Sequence, residues 1–393
     1  MRKGRARSIG NWLYDGGPSA VKVLHFYKTC LPDTVGGVQL CIDQLATGLA
    51  RRGVDVDLLA LSTKPGELAP LDRNGYRIHR VRQSFEIAST DFSLAAPRRF
   101  LHLMQDADIL HFHYPWPFMD VIHLLLSQGK PSVVTYHSDI IRQKYLLKIY
   151  RPLADRFLRQ VDRIVATSPD YLQTSAVLKR HADKVRVIPI GIDRQSYPSP
   201  RPQVVQAWRE RLGEGFFLFI GVLRYYKGLE FLIEAAKLTG LPTVIVGSGP
   251  MEFRLRQQAQ GGSPIVFLGS LSEEDKAAVL SLCGALVLPS HLRAEAFGVA
   301  LLEGGLHAKP LVTTAIGTGT SYINLAEITG LVVPPADSQA LAAAMRRLND
   351  DPPLAAQMGQ RAFERCRTLF GAEAMADAYI DLYRDVLAER AKT

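Results

Sequence analysis

Short runs of apolar residues alternate with stretches of helical periodicity along most of this chain. The run VKVLHFYK, which begins at Val21, predicts a buried strand, and the segment LCIDQLATGLARRG has the spacing of an amphipathic helix that ends at Gly53. Further strands are predicted at VDVDLLAL, YRIHRV, ADILHFH, PSVVTYH, DRIVATS and KVRVIPIG. Strands that alternate with helices indicate parallel βαβ units, with helices covering both faces of the sheet.

The same alternation starts again in the second half of the chain. FFLFIGVL, PTVIVGSGP, PIVFLGSL, ALVLPS, PLVTT and GLVVPP predict strands, and LEFLIEAAKLTG predicts a helix between the first two. Three prolines in the polar stretch at residues 197–203 indicate a linker. The pattern therefore predicts an α/β protein with two tandem, doubly wound domains that face each other across a cleft. We expect a flexible extension at residues 1–20, domains at 21–198 and 199–372, and a helix at 373–393 that packs back on the first domain.

The composition agrees with two globular domains. Of the 393 residues, 47% are hydrophobic and 22% are charged, which is enough apolar material for two sizeable cores. The four scattered cysteines have no metal-binding or redox spacing, which suits a reduced, cytoplasmic protein. The basic amino terminus lacks the apolar segment of a signal peptide, and no apolar run reaches the length of a bilayer span.

Positive charge is concentrated in the first half of the chain. Residues 1–200 contain 28 Lys and Arg against 18 Asp and Glu, and the whole chain has a net charge of +9. Such an excess suggests an anionic partner, which could be a phospholipid surface or a phosphorylated substrate. Ordinary solubilising charge is the alternative. No nucleic-acid-binding motif is present, and the basic residues are not interleaved with aromatic ones, so nucleic acid is not expected as a partner.

The turns after the predicted strands are the candidate binding positions, because doubly wound sheets bind ligands at the carboxyl ends of their strands. Gly36 and Gly37 follow the first strand and would let the backbone approach a phosphate or a sugar; a tight turn without a ligand is the alternative. His137 follows the strand PSVVTYH and could donate to a substrate oxygen, or it could cap neighbouring backbone. His111 and His113 have a similar placement and a weaker case.

Cations and glycines occupy the corresponding turns of the second half. Arg224 and Lys227 lie in GVLRYYKG, where cations would neutralise a diphosphate unless they are solvated surface charges. Gly247 ends another strand in the glycine-rich turn VGSGP, and GTGTSYINL contains hydroxyls that could line a polar pocket. Each of the last two segments would by itself be an ordinary loop.

Two carboxylates lie on the otherwise apolar segment RAEAFGVALLE, residues 293–303. Glu295 precedes a predicted helix and Glu303 lies two turns inside it, ~12 Å further along the axis, which is too far for one shared proton transfer. The two could bind hydroxyl groups at opposite ends of an elongated ligand, while the amides of Phe297 and Gly298 between them receive a diphosphate. A buried salt-bridge role for both glutamates is the alternative.

These motifs together resemble those of the retaining glycosyltransferases of family 4. The resemblance rests on EAFGVALLE, with VLPS before it and AKPLVTT and GLVVPP after it, and it runs from about Val21 to the carboxyl terminus. It implies the GT-B fold, which consists of two Rossmann-like domains. VLHFYKTCLPDTVGGVQ and GVLRYYKGLEFLIEAA are similar to the bacterial subgroup that builds lipopolysaccharide O-antigen or exopolysaccharide, often from GDP-mannose or a related GDP-sugar.

The resemblance also implies roles for individual residues. Glu295 would bind hydroxyls of the donor sugar, Glu303 would bind the ribose, and the amides of Phe297 and Gly298 would hold the diphosphate. The expected catalytic residues are His137, Lys227 and Glu295. The expected donor-binding residues are Gly36, Gly37, Arg224, Lys227, Gly247, Glu295, Ala296, Phe297, Gly298, Val299 and Glu303.

Three of the other roles come from the same comparison of motifs. Gly37 would approach the phosphate or the sugar, His137 would donate to a sugar hydroxyl near the reacting carbon, and Lys227 would stabilise the leaving diphosphate. The chain departs from the family at Val222, where an arginine is usual five residues before the lysine. Arg224 either replaces that charge or points elsewhere.

The implied reaction is hexose transfer with retention of configuration, in which an acceptor hydroxyl attacks the face that the diphosphate leaves. No metal or other cofactor is expected, because the acidic triplets DVD at 55–57 and DAD at 106–108 lie in strand contexts and are interpreted as structural. The implied acceptor is a lipid-linked saccharide at the inner face of the cytoplasmic membrane, where anionic lipid would attract the basic first half. A sugar-nucleotide epimerase on the same scaffold and a non-catalytic nucleotide-sugar-binding subunit are the alternatives.

Overall fold

The computed structural model describes residues 21–64, 69–88, 90–127, 129–140, 144–261 and 264–392, with side chains from residue 148 onward in the segment that begins at 144. The expected amino-terminal extension, residues 1–20, lies outside the described residues. Within the described ranges the chain forms two α/β domains, each built on a sheet of mainly parallel strands. The predicted fold class is therefore confirmed.

The amino-terminal domain begins with β1 and alternates strands with helices. Its strands are β1 (Lys22–Phe26), β2 (Asp55–Ser62), β3 (Leu71–Arg73), β4 (Tyr76–Arg82), β5 (Phe85–Ile87), β6 (Thr90–Phe92), β7 (Ile109–Tyr114), β8 (Ser132–Tyr136), β9 (Arg163–Ala166) and β10 (Val185–Val187). Its helices are α1 (Gly37–Arg51), α2 (Ala96–Asp106), α3 (Pro117–Leu126), α4 (Lys144–Gln160), α5 (Pro169–Thr174) and α6 (Ala176–Lys179). The strand order in the main sheet of the described chain is β10-β9-β8-β7-β1-β2-β4-β3, and β5 pairs with β6 in a separate hairpin.

The carboxyl-terminal domain repeats the plan with a smaller sheet. Its strands are β11 (Phe217–Ile220), β12 (Thr243–Val246), β13 (Ile265–Gly269), β14 (Ala285–Leu288), β15 (Leu311–Thr314) and β16 (Gly330–Val333), in the order β13-β12-β11-β14-β15-β16. Its helices are α7 (Pro202–Leu212), α8 (Leu229–Thr239), α9 (Glu252–Gln258), α10 (Glu273–Leu282), α11 (Val299–Leu306), α12 (Gly319–Ile323), α13 (Ser338–Asp350) and α14 (Pro352–Leu369). The pairings within this sheet are all parallel.

Continuous apolar strands explain why both sheets are buried on two faces. Leu218, Phe219 and Leu286, for example, are at most 1% exposed, and burying each such side chain contributes about 1.5–3 kcal/mol. A strand with polar residues at alternate positions would need one face in water, so the uninterrupted runs require the covering helices. This arrangement brings the carboxyl ends of the strands, and the turns after them, to the space between the domains.

The linker is shorter than the sequence suggests. Residues 202–203, which the three prolines assign to the linker, belong to the first turn of α7, since Pro202 takes a first-turn position where no amide donor is needed. The indole N–H of Trp208 in α7 donates to the carboxylate of Asp275 at 2.9 Å, so this helix is joined to α10 of the same domain. The hairpin of β5 and β6 is also absent from the sequence-based assignment.

The last helix, α15 (Ala372–Ala391), returns to the amino-terminal domain. Met375, Tyr379 and Tyr383 on this helix are at most 3% exposed and pack into the same apolar core as Val23 of β1. The first residue of α15 already contacts the amino-terminal domain, because the N–H of Ala372 donates to the carbonyl of Ile192 at 3.2 Å. The first domain is thus completed by residues from the far end of the chain.

Candidate active site

The loop between β14 and α11 carries the first of the two acids. The carboxylate of Glu295 accepts hydrogen bonds from the ammonium of Lys227 and, at 3.0 Å, from the hydroxyl of Ser290, and the residue is 7% exposed. Burial acts to lower the pKa of Lys227, but the charge of Glu295, its hydrogen bond and the nearby Tyr226 together outweigh burial, and the pKa is raised. Glu295 and Lys227, two of the three predicted catalytic residues, therefore lie in contact as an ion pair.

Buried hydroxyls hold this loop in place. Thr318 donates to the carbonyl of Glu295 at 2.7 Å, and the N–H of Gly319 donates to the carbonyl of Ala296, also at 2.7 Å. The buried hydroxyl of Thr318 and the amide of Gly319, both in the segment GTGTSYINL, thus hold the backbone of the acidic loop. Their role here is to orient the loop that carries Glu295.

The start of α11 presents the amides that the sequence assigns to a diphosphate. Gly298 precedes the helix with a φ of 89°, a left-handed conformation that glycine adopts without strain. Among the described residues, the N–H groups of Phe297 and Gly298 donate to no backbone carbonyl of a turn, loop or helix cap. The side chain of Phe297 points into the core and is 4% exposed, so this segment offers its backbone to a ligand.

The second acid lies inside α11 and is also paired with a lysine. The Nζ of Lys276 in α10 lies 2.9 Å from Oε1 of Glu303 and 2.7 Å from Oε2 of Glu273. Glu303 is 5% exposed and Lys276 is 9% exposed. The ring of Tyr197 lies 5.5 Å from the same Nζ, a cation–π distance. Both glutamates therefore make the buried salt bridges that the alternative interpretation of the sequence requires.

The predicted glycines differ in whether the fold itself requires a glycine at that position. Gly37 is the first residue of α1, and a Cβ at this position would lie 3.7 Å from Cγ2 of Val299 in the other domain, an ordinary contact. Gly36 before it has extended backbone, with a φ of −171°. By contrast, a Cβ at Gly247 would collide with the carbonyl of Gly221. Close packing of two strand ends accounts for Gly247 without any ligand.

Arg224 faces the amino-terminal domain. It is exposed. Burial is the main cause that lowers the pKa of Lys28; Asp91 acts to raise it, and the positive charge of Arg224 acts to lower it. Lys28 follows β1 of the other domain, so Arg224 lies at the border of the cleft. Val222, where the family has an arginine, is 36% exposed. Whether Arg224 takes over the missing charge stays a prediction.

His137 lies at the end of β8 on the amino-terminal side of the cleft. Its Nε2 lies 3.0 Å from Nδ1 of His113, so the ring is paired with another imidazole, and among the described residues it has no hydrogen bond to neighbouring backbone. His137 is 6% exposed, and burial lowers its pKa to about 3, which keeps the ring neutral. His111 and His113, given a weaker case by the sequence, are completely buried.

Several residues of this site are not among those predicted from the sequence. Lys276 and Ser290 pair with the two acids, as described above, and Arg293 connects the acidic loop to the other domain. Its guanidinium lies 2.9 Å from the hydroxyl of Thr174 and 3.3 Å from the carboxylate of Asp139. Arg293 could have been identified from the sequence by its position two residues before Glu295. No local sequence signal identifies Lys276.

In the acidic triplet at 55–57, Asp57 is paired with basic side chains of the protein itself. Asp57 is 1% exposed and lies within 3.0 Å of nitrogen atoms of Lys22, Arg77 and His79. Burial acts to raise its pKa, but the hydrogen bonds from these three side chains outweigh burial and the pKa is lowered. Asp57 is therefore a structural anion of the sheet.

Two parallel-sheet domains, with two buried and paired acids on the loop and helix that follow β14, define a protein of the GT-B glycosyltransferase class. The family model described as Glycosyltransferase Family 4 matches residues 35–196, and the model described as Glycosyl transferases group 1 matches residues 201–365. The chain belongs to the family 4 glycosyltransferases.

Similar proteins agree with this assignment. The D-rhamnosyltransferase WbpZ of Pseudomonas aeruginosa is 51% identical over 355 residues, which cover 90% of this chain and 93% of that protein. The O-antigen chain mannosyltransferase C of Escherichia coli is 46% identical over 372 residues, which cover 94% and 100%. The fold is similar to sucrose-phosphate synthase from Thermosynechococcus elongatus, with a TM-score of 0.79 at 23% identity over 94% of this chain and 100% of that one. Among the described residues, none of the helices combines the length and the hydropathy that crossing a membrane requires.

Proposed function

We propose that this glycosyltransferase moves mannose or a related hexose from a nucleotide-diphosphate sugar, GDP-linked, to a lipid-linked saccharide during synthesis of O-antigen or exopolysaccharide. The observation that carries the proposal is the high similarity, over almost the full chain, to two proteins named for D-rhamnose transfer and for O-antigen mannose transfer. Mannose and D-rhamnose differ only at carbon 6, so a shared donor pocket is chemically reasonable.

The donor would bind along α11 and the loop before it. Glu295 accepts hydrogen bonds from hydroxyls of the sugar and Glu303 accepts them from the ribose, while the N–H groups of Phe297 and Gly298 hold the diphosphate. The lysine partners support this proposal, because Lys227 and Lys276 provide counter-charges to two carboxylates that are both buried. An ionised carboxylate is the stronger acceptor for a hydroxyl.

The chemical step would proceed with retention and without a metal ion. Negative charge grows on the diphosphate as the bond to the anomeric carbon breaks, and Lys227 with the amides of α11 stabilises it there. The acceptor hydroxyl attacks the same face, and its proton passes to the departing phosphate oxygen. His137 donates to a sugar hydroxyl near the reacting carbon. Closure of the two domains excludes water and so limits hydrolysis of the donor.

A thermal-shift panel of GDP-, UDP-, ADP- and dTDP-sugars tests the donor. We expect the largest rise in Tm with a GDP-hexose, and loss of that rise in Glu295→Gln and Glu303→Gln. Glu327→Gln is the matched control, because Glu327 lies in the same domain and pairs with Arg347 at the surface. A GDP-sugar response that survives both active-site changes would refute the proposed binding mode.

Turnover distinguishes the competing functions. The purified protein is incubated with the donor alone and then with donor and a lipid-linked saccharide, in buffer with and without EDTA. Transfer that is insensitive to EDTA and retains the anomeric configuration supports the proposal. Epimerised donor in the absence of acceptor would favour an epimerase, and tight donor binding without turnover would favour a non-catalytic subunit.

The lipid acceptor implies contact with a membrane surface. Lys148, Ile149 and Arg151 lie on the exposed face of α4, and Ile149 is 80% exposed, so this face combines cations with an apolar side chain. We expect co-sedimentation with vesicles that contain anionic lipid, weakened by salt and by Lys148→Glu with Arg151→Glu. Arg209→Glu with Arg211→Glu, on the exposed side of α7, is the matched control. Equal binding to neutral vesicles would refute the electrostatic contact.

A further inference from the structure

Three buried histidines form a continuous chain of hydrogen bonds that ends at the cleft. His25 lies on β1, His113 lies on β7 and His137 follows β8. The Nδ1 of His25 lies 3.0 Å from Nε2 of His113, and the Nδ1 of His113 lies 3.0 Å from Nε2 of His137. We call these three residues the histidine chain. Its first two members are fully buried.

All three rings are neutral at physiological pH. Burial lowers the pKa of His25 and of His137 to about 3 and holds the pKa of His113 well below its usual range, with further lowering from neighbouring histidines. A neutral imidazole carries one proton, on either Nδ1 or Nε2. Two ring nitrogens 3.0 Å apart need one proton between them, because two lone pairs at that distance repel. The three rings must therefore share one direction of donation.

Only two arrangements satisfy both contacts. In the first, His25 donates to His113 and His113 donates to His137, so His137 carries its proton on Nδ1. In the second, every bond is reversed and His137 carries its proton on Nε2. The two arrangements differ at the buried end of the histidine chain, at Nε2 of His25, which has no hydrogen-bond partner among the described residues.

The energy of that end group decides between them. The first arrangement leaves Nε2 of His25 as an unpartnered acceptor, whereas the second leaves it as an unpartnered N–H donor. Buried backbone N–H groups without a partner are rarer in proteins than buried carbonyls without one, and we apply the same order to ring nitrogens; burying either without a hydrogen bond has an energetic cost. The first arrangement is thus favoured.

We propose that the histidine chain fixes His137 as the Nδ1–H tautomer, with His113 as the residue that positions it. In this tautomer His137 donates a hydrogen bond from Nδ1 and cannot accept one there. Among the described residues Nδ1 has no hydrogen-bond partner and is not one of the fully buried unpartnered atoms. The consequence for catalysis rests on the proposed function, in which His137 donates to a sugar hydroxyl.

A metal site is the competing interpretation of these histidines. Ring nitrogens of His25, His111 and His113 lie within 4.8 Å of one another. His111, however, uses Nδ1 with the hydroxyl of Tyr383 at 2.7 Å and Nε2 with that of Thr135 at 2.8 Å. Both nitrogens of His113 are also engaged. A metal ion would have to break these bonds, so the side chains fit a hydrogen-bonded chain better than a metal centre.

Nitrogen NMR of protein labelled with ¹⁵N-histidine tests the tautomer directly. A protonated and an unprotonated ring nitrogen have well-separated ¹⁵N shifts, and the signals of His137 are assigned by their loss in His137→Asn. We expect protonated Nδ1 and bare Nε2. The reverse assignment, or a shift of these signals on adding Zn²⁺ alone, would overturn the proposal. This measurement needs no donor, so it stands apart from the proposed function.

Two variants of His113 test the positioning role. His113→Leu removes the donor to His137, whereas His113→Asn keeps an amide N–H near the position of Nδ1. We expect kcat to fall roughly tenfold or more in the leucine variant with a smaller change in KM, and to recover in part in the asparagine variant. His123→Leu is the matched control, because His123 is a buried histidine of the same domain that bonds Ser127 instead.

The possible outcomes separate the claims. An unchanged tautomer and unchanged kcat in folded His113→Leu would refute the positioning role. If the leucine variant does not fold, the wild-type tautomer still decides the proposal. If His137 has the expected tautomer but His137→Asn keeps full turnover, the histidine chain stands and the proposed role of His137 in transfer fails.

Discussion

The ammonium of Lys276 lies 2.9 Å from the carboxylate of Glu303, and both residues are more than nine-tenths buried. The same relationship joins Lys227 to Glu295 at the other end of the acidic segment. The two lysines come from separate elements, α10 and the turn after β11, so the tertiary fold assembles both pairs. Each acid of the proposed donor site therefore carries its own counter-charge before any ligand binds.

We expect Lys276→Met to destabilise the protein by about 3 kcal/mol, because it leaves the buried carboxylate of Glu303 without its partner. Urea unfolding measures the loss. The double variant Lys276→Met with Glu303→Gln is the control, since it removes both charges and should recover most of the stability. Equal stability losses in the single and the double variant would show that the pair is not coupled.

Gly37→Ala separates ligand binding from folding. A Cβ at Gly37 meets Val299 at an ordinary distance of 3.7 Å, and alanine at a helical position is better than glycine by roughly 0.5–1 kcal/mol. We therefore expect unchanged or slightly higher Tm, together with donor binding that is weaker by about tenfold if the phosphate or sugar approaches this backbone.

Gly371→Ala is the matched control for that experiment. Gly371 also lies at the start of a helix, has a φ of −78°, and has open space around a built Cβ. This variant should bind the donor as the wild type does. Wild-type donor affinity in Gly37→Ala would show that the ligand does not approach Gly37, whatever happens to stability.

Arg293→Ala should loosen the contact between the two domains. Arg293 donates to Thr174 and Asp139 of the amino-terminal domain and, at 2.8 Å, to the carbonyl of Gly317 in its own. We expect a larger radius of gyration in X-ray scattering and a kcat that is lower by roughly tenfold, because the side chain orients the loop of Glu295. The stability change should stay within about 1 kcal/mol, as for other partly exposed pairs.

The control for this change is Arg347→Ala. Arg347 forms an exposed ion pair with Glu327 within the carboxyl-terminal domain. It should leave both the scattering curve and kcat unchanged. An Arg293→Ala protein with the wild-type radius of gyration and kcat would show that this contact does not hold the domains in their relative position.

Acid should weaken the amino-terminal domain through its buried histidines. Burial lowers the pKa of His25 and His137 to about 3 and that of His123 to about 4, whereas an unfolded histidine titrates near 6.5. Between these values the unfolded chain binds more protons than the folded one, so stability is complete above pH ~6.5 and falls as the pH drops below it. Each such histidine contributes a slope of up to about 1.4 kcal/mol per pH unit.

Urea unfolding at pH 7, 6 and 5 measures that slope. His123→Asn should reduce it relative to the wild type, because one titrating group is removed, whereas His102→Asn, at an exposed position of α2, should not. Identical slopes in all three proteins would contradict the prediction.

The strands could be predicted because their apolar runs are local. Segments such as FFLFIGVL and ALVLPS became β11 and β14, since a parallel strand covered on both faces needs no polar positions. The sequence pattern does not predict α7, because it assigns Pro202 to a linker, although proline is also favoured in the first turn of a helix. Local sequence could not distinguish these two uses of one residue.

The partners of the site residues could not be predicted for a different reason. Lys276 and Glu303 are 27 positions apart, and His25 and His113 are 88 apart, so each contact depends on how whole elements pack. In the sequence, Lys276 is one charged residue in a helix of mixed composition. The acids were recognisable by their spacing, whereas their counter-charges become visible when α10 lies beside α11.

The return of α15 has a consequence for biosynthesis. Met375, Tyr379 and Tyr383 complete the core of the amino-terminal half, yet a ribosome adds them only after the whole carboxyl-terminal domain. During translation that half must wait for α15 before its hydrophobic interior is closed. A premature stop before residue 372 would therefore leave the core of the amino-terminal half open, and such truncated products should be prime substrates for chaperones and proteases.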